Sequence, residues 1–161
     1  MVKKVPVVRL QIVREKELEY CRCNLGSPEK AAHWMRGFLG EADREYMVVC
    51  CVDNRMKPTN VEVVGIGSCN SCICSLPELF KTAIISNAAG ILLFHTHPSG
   101  ETEPSREDIQ CTGKVKKAGE FLGIELQDHI ILGEDGKYFS FRESKYWEEC
   151  GDGEARDNMY G

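Results

Sequence analysis

The 161-residue sequence has little of what would place it at a membrane or on nucleic acid. No apolar run approaches the roughly 20 residues that cross a bilayer. The start is basic, but Arg9 and Arg14 interrupt any signal-peptide core, so a cytoplasmic protein is expected. Twenty Lys and Arg face 25 Asp and Glu, a net charge of −5. With neither a basic nor an aromatic stripe, charge gives no support to nucleic-acid binding, although a nucleic-acid partner stays open. Internal repeats and low-complexity segments are absent. Histidine is scarce, with four residues. A zinc nucleobase deaminase needs His-x-Glu and Pro-Cys-x-x-Cys, and neither occurs.

What remains is an ordinary globular balance, 42% hydrophobic and 28% charged, at a length suited to one core. Cysteine is plentiful and odd in number, nine in all. Without an export signal a disulfide framework is not expected. Cys50 and Cys51 lie in an apolar strand and read as small hydrophobes. Cys69-x-x-Cys72-x-Cys74 is the one cluster suited to a second, thiolate-bound metal. A closed structural zinc needs four ligands, so Cys21-x-Cys23 would have to come near.

The pattern predicts strand, helix, strand, strand, helix, strand, helix, strand, strand. Residues 5–13 alternate from Val8 to Ile12 and read as a strand with Pro6 at its edge. Ser27 and Pro28 open a helix whose apolar face is Ala31, Trp34, Met35, Phe38 and Leu39, and Gly40 ends it. Residues 45–53 and 60–67 form two strands joined at Asp53-Asn54-Arg55, with Gly65 and Gly67 marking a bend or bulge. A helix follows from about Pro77. Residues 89–96 are a buried-length apolar strand, and a helix spans about 106–121, broken by Gly123. Residues 124–132 and 137–142 flank the tight turn at Glu134-Asp135-Gly136. The last residues, 143–161, are polar and are expected to be mobile, apart from docking by Tyr146 and Trp147.

The informative stretch is Phe94-His95-Thr96-His97-Pro98-Ser99-Gly100, with Pro104-Ser105-Arg106-Glu107-Asp108 after it. Side chains two apart on a strand share a face, so His95 and His97 can meet one ion. Ser105 is an N-cap candidate, and Asp108, three residues on, stands where a capping box places an acid. Two imidazoles and one carboxylate leave a fourth zinc position for water. The bland alternative is two strand-end histidines and an ordinary helix cap.

His95-x-His97, seven residues, then Ser105-x-x-Asp108 resembles the signature of the JAMM (also JAB or MPN) metalloprotease domain. HTHPSG, PSREDI, KAGEFLGIEL and DHIILG are similar to the RadC-type branch, and with Ala42-Asp43-Arg44-Glu45-Tyr46 upstream the resemblance covers about residues 5–142. It implies an α/β fold, a single-domain α-β-α sandwich with a mixed sheet and cytidine-deaminase-like architecture. It also implies one Zn2+ on His95, His97 and Asp108. In this family the Cys69–Cys74 segment is usually a loop of small and apolar residues. No helix-hairpin-helix region, often found ahead of the domain in longer RadC proteins, is read here.

The resemblance assigns the general base to Glu45; a solvated strand-start carboxylate is the bland reading, and Glu62 competes from the neighbouring strand. It gives Ser105 an oxyanion or water contact beside its capping role. His129 reads as a core histidine or as an orienter of a ligand. His33 carries no signal, and Arg106 and Glu107 read as solvated. The function expected is zinc-dependent cleavage of a peptide or isopeptide bond in a peptide or protein substrate. The alternatives are a DNA-repair-associated or mobile-element protein acting on or near DNA, or a non-enzymatic MPN interaction module. Oligomeric state is not legible.

Overall fold

The structure, a computed structural model, describes residues 4–20, 24–40, 44–67, 75–97 and 99–152. The elements run α1 (Pro28–Leu39), β1 (Tyr46–Val52), β2 (Pro58–Ile66), α2 (Leu76–Ile85), β3 (Gly90–Thr96), α3 (Arg106–Leu122), β4 (Glu125–Leu132), β5 (Tyr138–Ser140) and α4 (Tyr146–Asp152). The five strands form one mixed sheet in the order β2-β1-β3-β4-β5. Only β3 and β4 pair in parallel, with α3 as the crossover between them.

Strand alternation builds two cores. Val48, Cys50 and Val52 of β1, with Leu92 and Phe94 of β3, face α1 through Ala31, Ala32 and Met35. Val49, Cys51, Ile91 and Leu93 face α2 and α3 through Leu79, Phe80, Ala83, Cys111 and Val115. Helices on both faces explain why β1 and β3 are near-continuous apolar runs rather than alternating ones. Cys50 and Cys51 are free and fully buried, as small hydrophobes would be. Burial pushes the Cys50 thiol well up and Cys51 up to about 11.

The bulge expected near Gly65 is present: Met47 pairs with Gly65 but Val48 with Val63. Ser27 stands at the N-cap of α1 as expected, although its side chain makes no cap hydrogen bond. One expectation needs correction. Residues 5–13 form no strand: Val5, Val7, Val8, Leu10 and Val13 are exposed and no strand pairs with them. Alternation without a neighbouring ladder does not hold a strand.

Tyr146 and Trp147 dock as expected. Helix α4 lies against α3, where the Lys116 ammonium donates to the Trp147 carbonyl at 2.8 Å and Cys150 is buried. Among the described residues no helix is long and apolar enough to cross a membrane. Cys21, Cys23, Cys69, Cys72, Cys74, Pro98 and residues 153–161 lie outside the described residues.

Candidate metal centre

His95 lies near the end of β3, and its odd-numbered position puts it on the same face as Ile91 and Leu93, toward α3. Met47 pairs with His95, so carrying the antiparallel register two residues further brings Glu45 level with His97. Asp108 enters from α3. His95, His97 and Asp108 offer donor atoms that all lie within 4.8 Å of one another.

The three side chains arrive by different devices. Ser105 caps α3: its hydroxyl accepts from the Asp108 N–H at 3.1 Å, and the Asp108 carboxylate accepts from the Ser105 N–H at 2.8 Å. This is a capping box with Asp at N3, and it aims the carboxylate back at the strand end. His97 follows the last residue of β3; its Nδ1 lies 2.9 Å from the Glu101 carbonyl oxygen, which can only accept, so Nδ1 carries a hydrogen and Nε2 is the nitrogen turned toward Asp108. Nε2 is 3.3 Å from Asp108 Oδ2, and His95 Nδ1 is 3.0 Å from Asp108 Oδ1.

The loop after His97 turns at Gly100, whose φ of +74° is a glycine conformation. It closes with Gly100 N–H to the His97 carbonyl at 3.0 Å, and Glu134 N–H donates to the Gly100 carbonyl at 3.2 Å. Gly133 lies beneath this loop: a Cβ there would sit 2.5 Å from the Gly100 oxygen.

Electrostatically the site is poised for a cation. Burial would raise the Asp108 pKa, but His95, His97 and the Ser105 hydroxyl outweigh it and hold the carboxyl well below the usual range. The Asp108 hydrogen bond raises the His97 pKa above its ordinary value, against burial. Glu45 Oε2 is buried with no hydrogen-bond partner among the described residues, and Asp108 Oδ1, also buried, faces the His95 imidazole at 3.0 Å. Two carboxylates beside two imidazoles are a costly arrangement without a cation or a proton to share. The N,N,O donor set fits zinc or a similar divalent ion.

Glu62 does not join this group. Its carboxylate accepts a hydrogen bond from the Thr82 hydroxyl of α2. Arg106, Glu107 and His33 are exposed. Two hydroxyls at the site were not singled out by the sequence reading. Thr96 Oγ1 accepts from the Tyr46 N–H at 2.8 Å and donates to the Arg44 carbonyl at 3.0 Å, bracketing Glu45. Thr112 links Asp108 to His129. A threonine between the two histidines is the signal for the first; nothing in sequence spacing marks the second.

The family model described as RadC-like JAB domain matches residues 25–146. The chain belongs to the RadC-like JAB domain family. Among similar proteins, a UPF0758 protein of Rubrobacter xylanophilus is 40% identical over 119 residues, covering 74% of this chain and 52% of its own. A UPF0758 protein of Methanosarcina mazei is 36% identical over 132 residues, 82% of this chain and 57% of its own. One of Bacillus licheniformis is 40% identical over 119 residues, 74% and 53%. The chain thus spans about half the length of the curated relatives it matches. The mixed five-strand sheet is consistent with that membership, and the His95, His97 and Asp108 group could hold a metal ion.

Proposed function

We propose that this RadC-like domain is a zinc-dependent hydrolase that cuts a peptide or isopeptide bond in a peptide or protein substrate. The observation that carries the reading is the convergence of His95, His97 and Asp108, with a buried Glu45 oxygen that has no hydrogen-bond partner among the described residues. His95, His97 and Asp108 would hold the ion. Zinc bound there supplies Lewis acidity toward a carbonyl and a water that ionises near neutral pH.

This chain's own residues do the rest. Glu45, level with His97, takes a proton from the attacking water and passes it to the leaving amine. Its position is held from both sides by Thr96. The Ser105 hydroxyl now donates to Asp108 Oδ2 at 2.6 Å, and turning it outward would let it bond an oxyanion. Ser105 is not the nucleophile in this reading, because a bound metal would already supply one as water. The amide class of the substrate follows from the likeness to JAMM domains, and the cytoplasm is the proposed compartment. The net charge of −5 does not favour the DNA reading.

Metal content tests this first, on wild type and His97→Ala purified without added metal, counting Zn, Fe, Mn and Ni. About one zinc per chain, absent from the variant, supports the three-ligand site. Peptide and isopeptide substrates are then screened. Glu45→Gln should keep the metal and lose about 10²–10⁴-fold in rate. A folded wild type that takes up no zinc sinks the hydrolase reading and leaves an interaction module. Zinc that survives His97→Ala points to the cysteines.

A further inference from the structure

We infer that Thr112 and His129 are positioning residues for the metal centre, acting as one link that sets Asp108 and His95. The inference rests on the reading of that centre given above. His129 lies on β4, in register with Leu93 and two residues short of His95's level on the neighbouring parallel strand. It is fully buried. Its ring is sandwiched: Phe141 stacks on one face at 4.9 Å and 5°, and His95 is stacked at 6.2 Å and 20°.

The hydrogen bonds fix the direction of the link. Thr112 Oγ1 donates to the Asp108 carbonyl at 2.6 Å. A hydroxyl has one proton, so toward His129 Nδ1, 2.7 Å away, the same oxygen can only accept. His129 is therefore the neutral Nδ1–H tautomer. The chain of contacts runs from β4 through His129 and Thr112 to the carbonyl of the ligand-bearing residue on α3. A threonine bonded to the carbonyl four residues back is ordinary in helices. A second bond from that hydroxyl to a buried imidazole on the sheet is not.

An apolar residue at 129 would serve the core better. The imidazole loses its hydration on burial, and its Nε2 has no hydrogen-bond partner among the described residues. Such a group costs stability, and groups that break the local packing rule concentrate at functional sites. Here it joins two ligands borne by two different elements: it ties the Asp108 turn of α3 to β4 and bounds the space the His95 ring can occupy. Residues that orient metal ligands are worth about 10–100-fold in metal affinity.

The test is zinc affinity by competition with a chromophoric chelator, together with the visible absorption of the Co2+-loaded full chain. Thermal unfolding of the metal-free form accompanies each variant. Thr112→Val and His129→Phe should each weaken zinc by about 10–100-fold and change the Co2+ bands. Thr112→Ser restores the hydroxyl, and His129→Asn offers an amide N–H in place of Nδ1–H; both should return toward wild type. The double variant Thr112→Val/His129→Phe should lose no more than either single one, since both cut the same link. Folded Thr112→Val and His129→Phe with wild-type affinity and spectrum overturn the inference while leaving the zinc site standing. If Thr112→Val does not fold, the His129→Phe and His129→Asn pair decides. A wild type that binds neither Zn2+ nor Co2+ overturns both readings.

Discussion

Ser105 and Asp108 hold each other from both directions: the Asp108 carboxylate accepts from the Ser105 N–H and hydroxyl, and the Asp108 N–H donates to that hydroxyl. One serine oxygen therefore caps a helix and touches a metal-ligand candidate. Ser105→Ala removes both roles and should cost about 1 kcal/mol of stability, a fall in Tm of about 2–4 °C at this chain length. Ser105→Gly should cost only a few tenths of that, because glycine is a tolerated N-cap. The two variants separate capping from chemistry: comparable rate losses with unequal Tm shifts support a direct role, and rate losses that track Tm remove it.

Thr96 carries the corresponding double duty for Glu45. Thr96→Val keeps the shape but leaves the Tyr46 N–H without its acceptor, at a cost of about 1–3 kcal/mol. Thr96→Ser should remain near wild type. Denaturant unfolding of the three proteins checks the stability. Zinc content should be unchanged in both variants, because the Thr96 hydroxyl bonds the Tyr46 N–H and the Arg44 carbonyl rather than a ligand side chain.

Two buried groups give the metal-free protein opposing pH dependences. Burial pushes His129 down to about 3 from 6.5, so its stability contribution is present above 6.5 and is lost as pH falls toward 3. Burial pushes Asp128 up to about 6 from 3.8, against hydrogen bonds from Ser140 and Arg142. Its contribution is present below 3.8 and lost as pH rises through 6. Each has a slope of up to about 1.4 kcal/mol per pH unit. The two partly cancel between about 4 and 6. Denaturant titrations in chelator should show His129→Phe gaining stability relative to wild type as pH falls through that window. Asp128→Asn should lose it. Parallel curves for all three would refute the assignment.

Gly133→Ala tests the support under the His97 loop. Its Cβ would meet the Gly100 carbonyl oxygen and the Thr102 methyl, each at 2.5 Å, so the loop must move. Overpacking of this kind costs about 1–3 kcal/mol, and zinc affinity should fall with it because Gly100 closes the turn onto His97. Gly136→Ala, three residues on, has open space for its Cβ but a φ of +78° that strains it, so it should lose stability yet leave zinc affinity unchanged. Chelator competition on the two variants is the check.

Much of the fold was legible because its elements are locally determined. Helix α1 has Pro28 at its start and an apolar face at Ala31 and Met35; β1 and β3 are apolar runs of strand length. The capping box was legible too, since its partners are three residues apart. Residues 5–13 misled because alternation says which face a strand would bury, not whether a neighbour exists to pair with. Helix α4 was hidden in a polar stretch; its helical state comes from packing against α3, where Trp147 and Cys150 find a surface.

For the site, the sequence alone determined the donor set, because His95 and His97 sit at strand spacing and Asp108 at the N3 position of a capped helix. The family's spacing also pointed to Glu45. Only the tertiary structure separated the positions of Glu45 and Glu62, since the antiparallel register of β1 on β3 brings one level with His97 while the other bonds Thr82 of α2. Only it brought Thr112, His129 and Phe141 behind the ligands, from α3, β4 and the residue after β5. The physical reason is range: strand period and helix caps act over a few residues, whereas the parallel β3–β4 pairing that puts His129 beside His95 joins positions 34 apart.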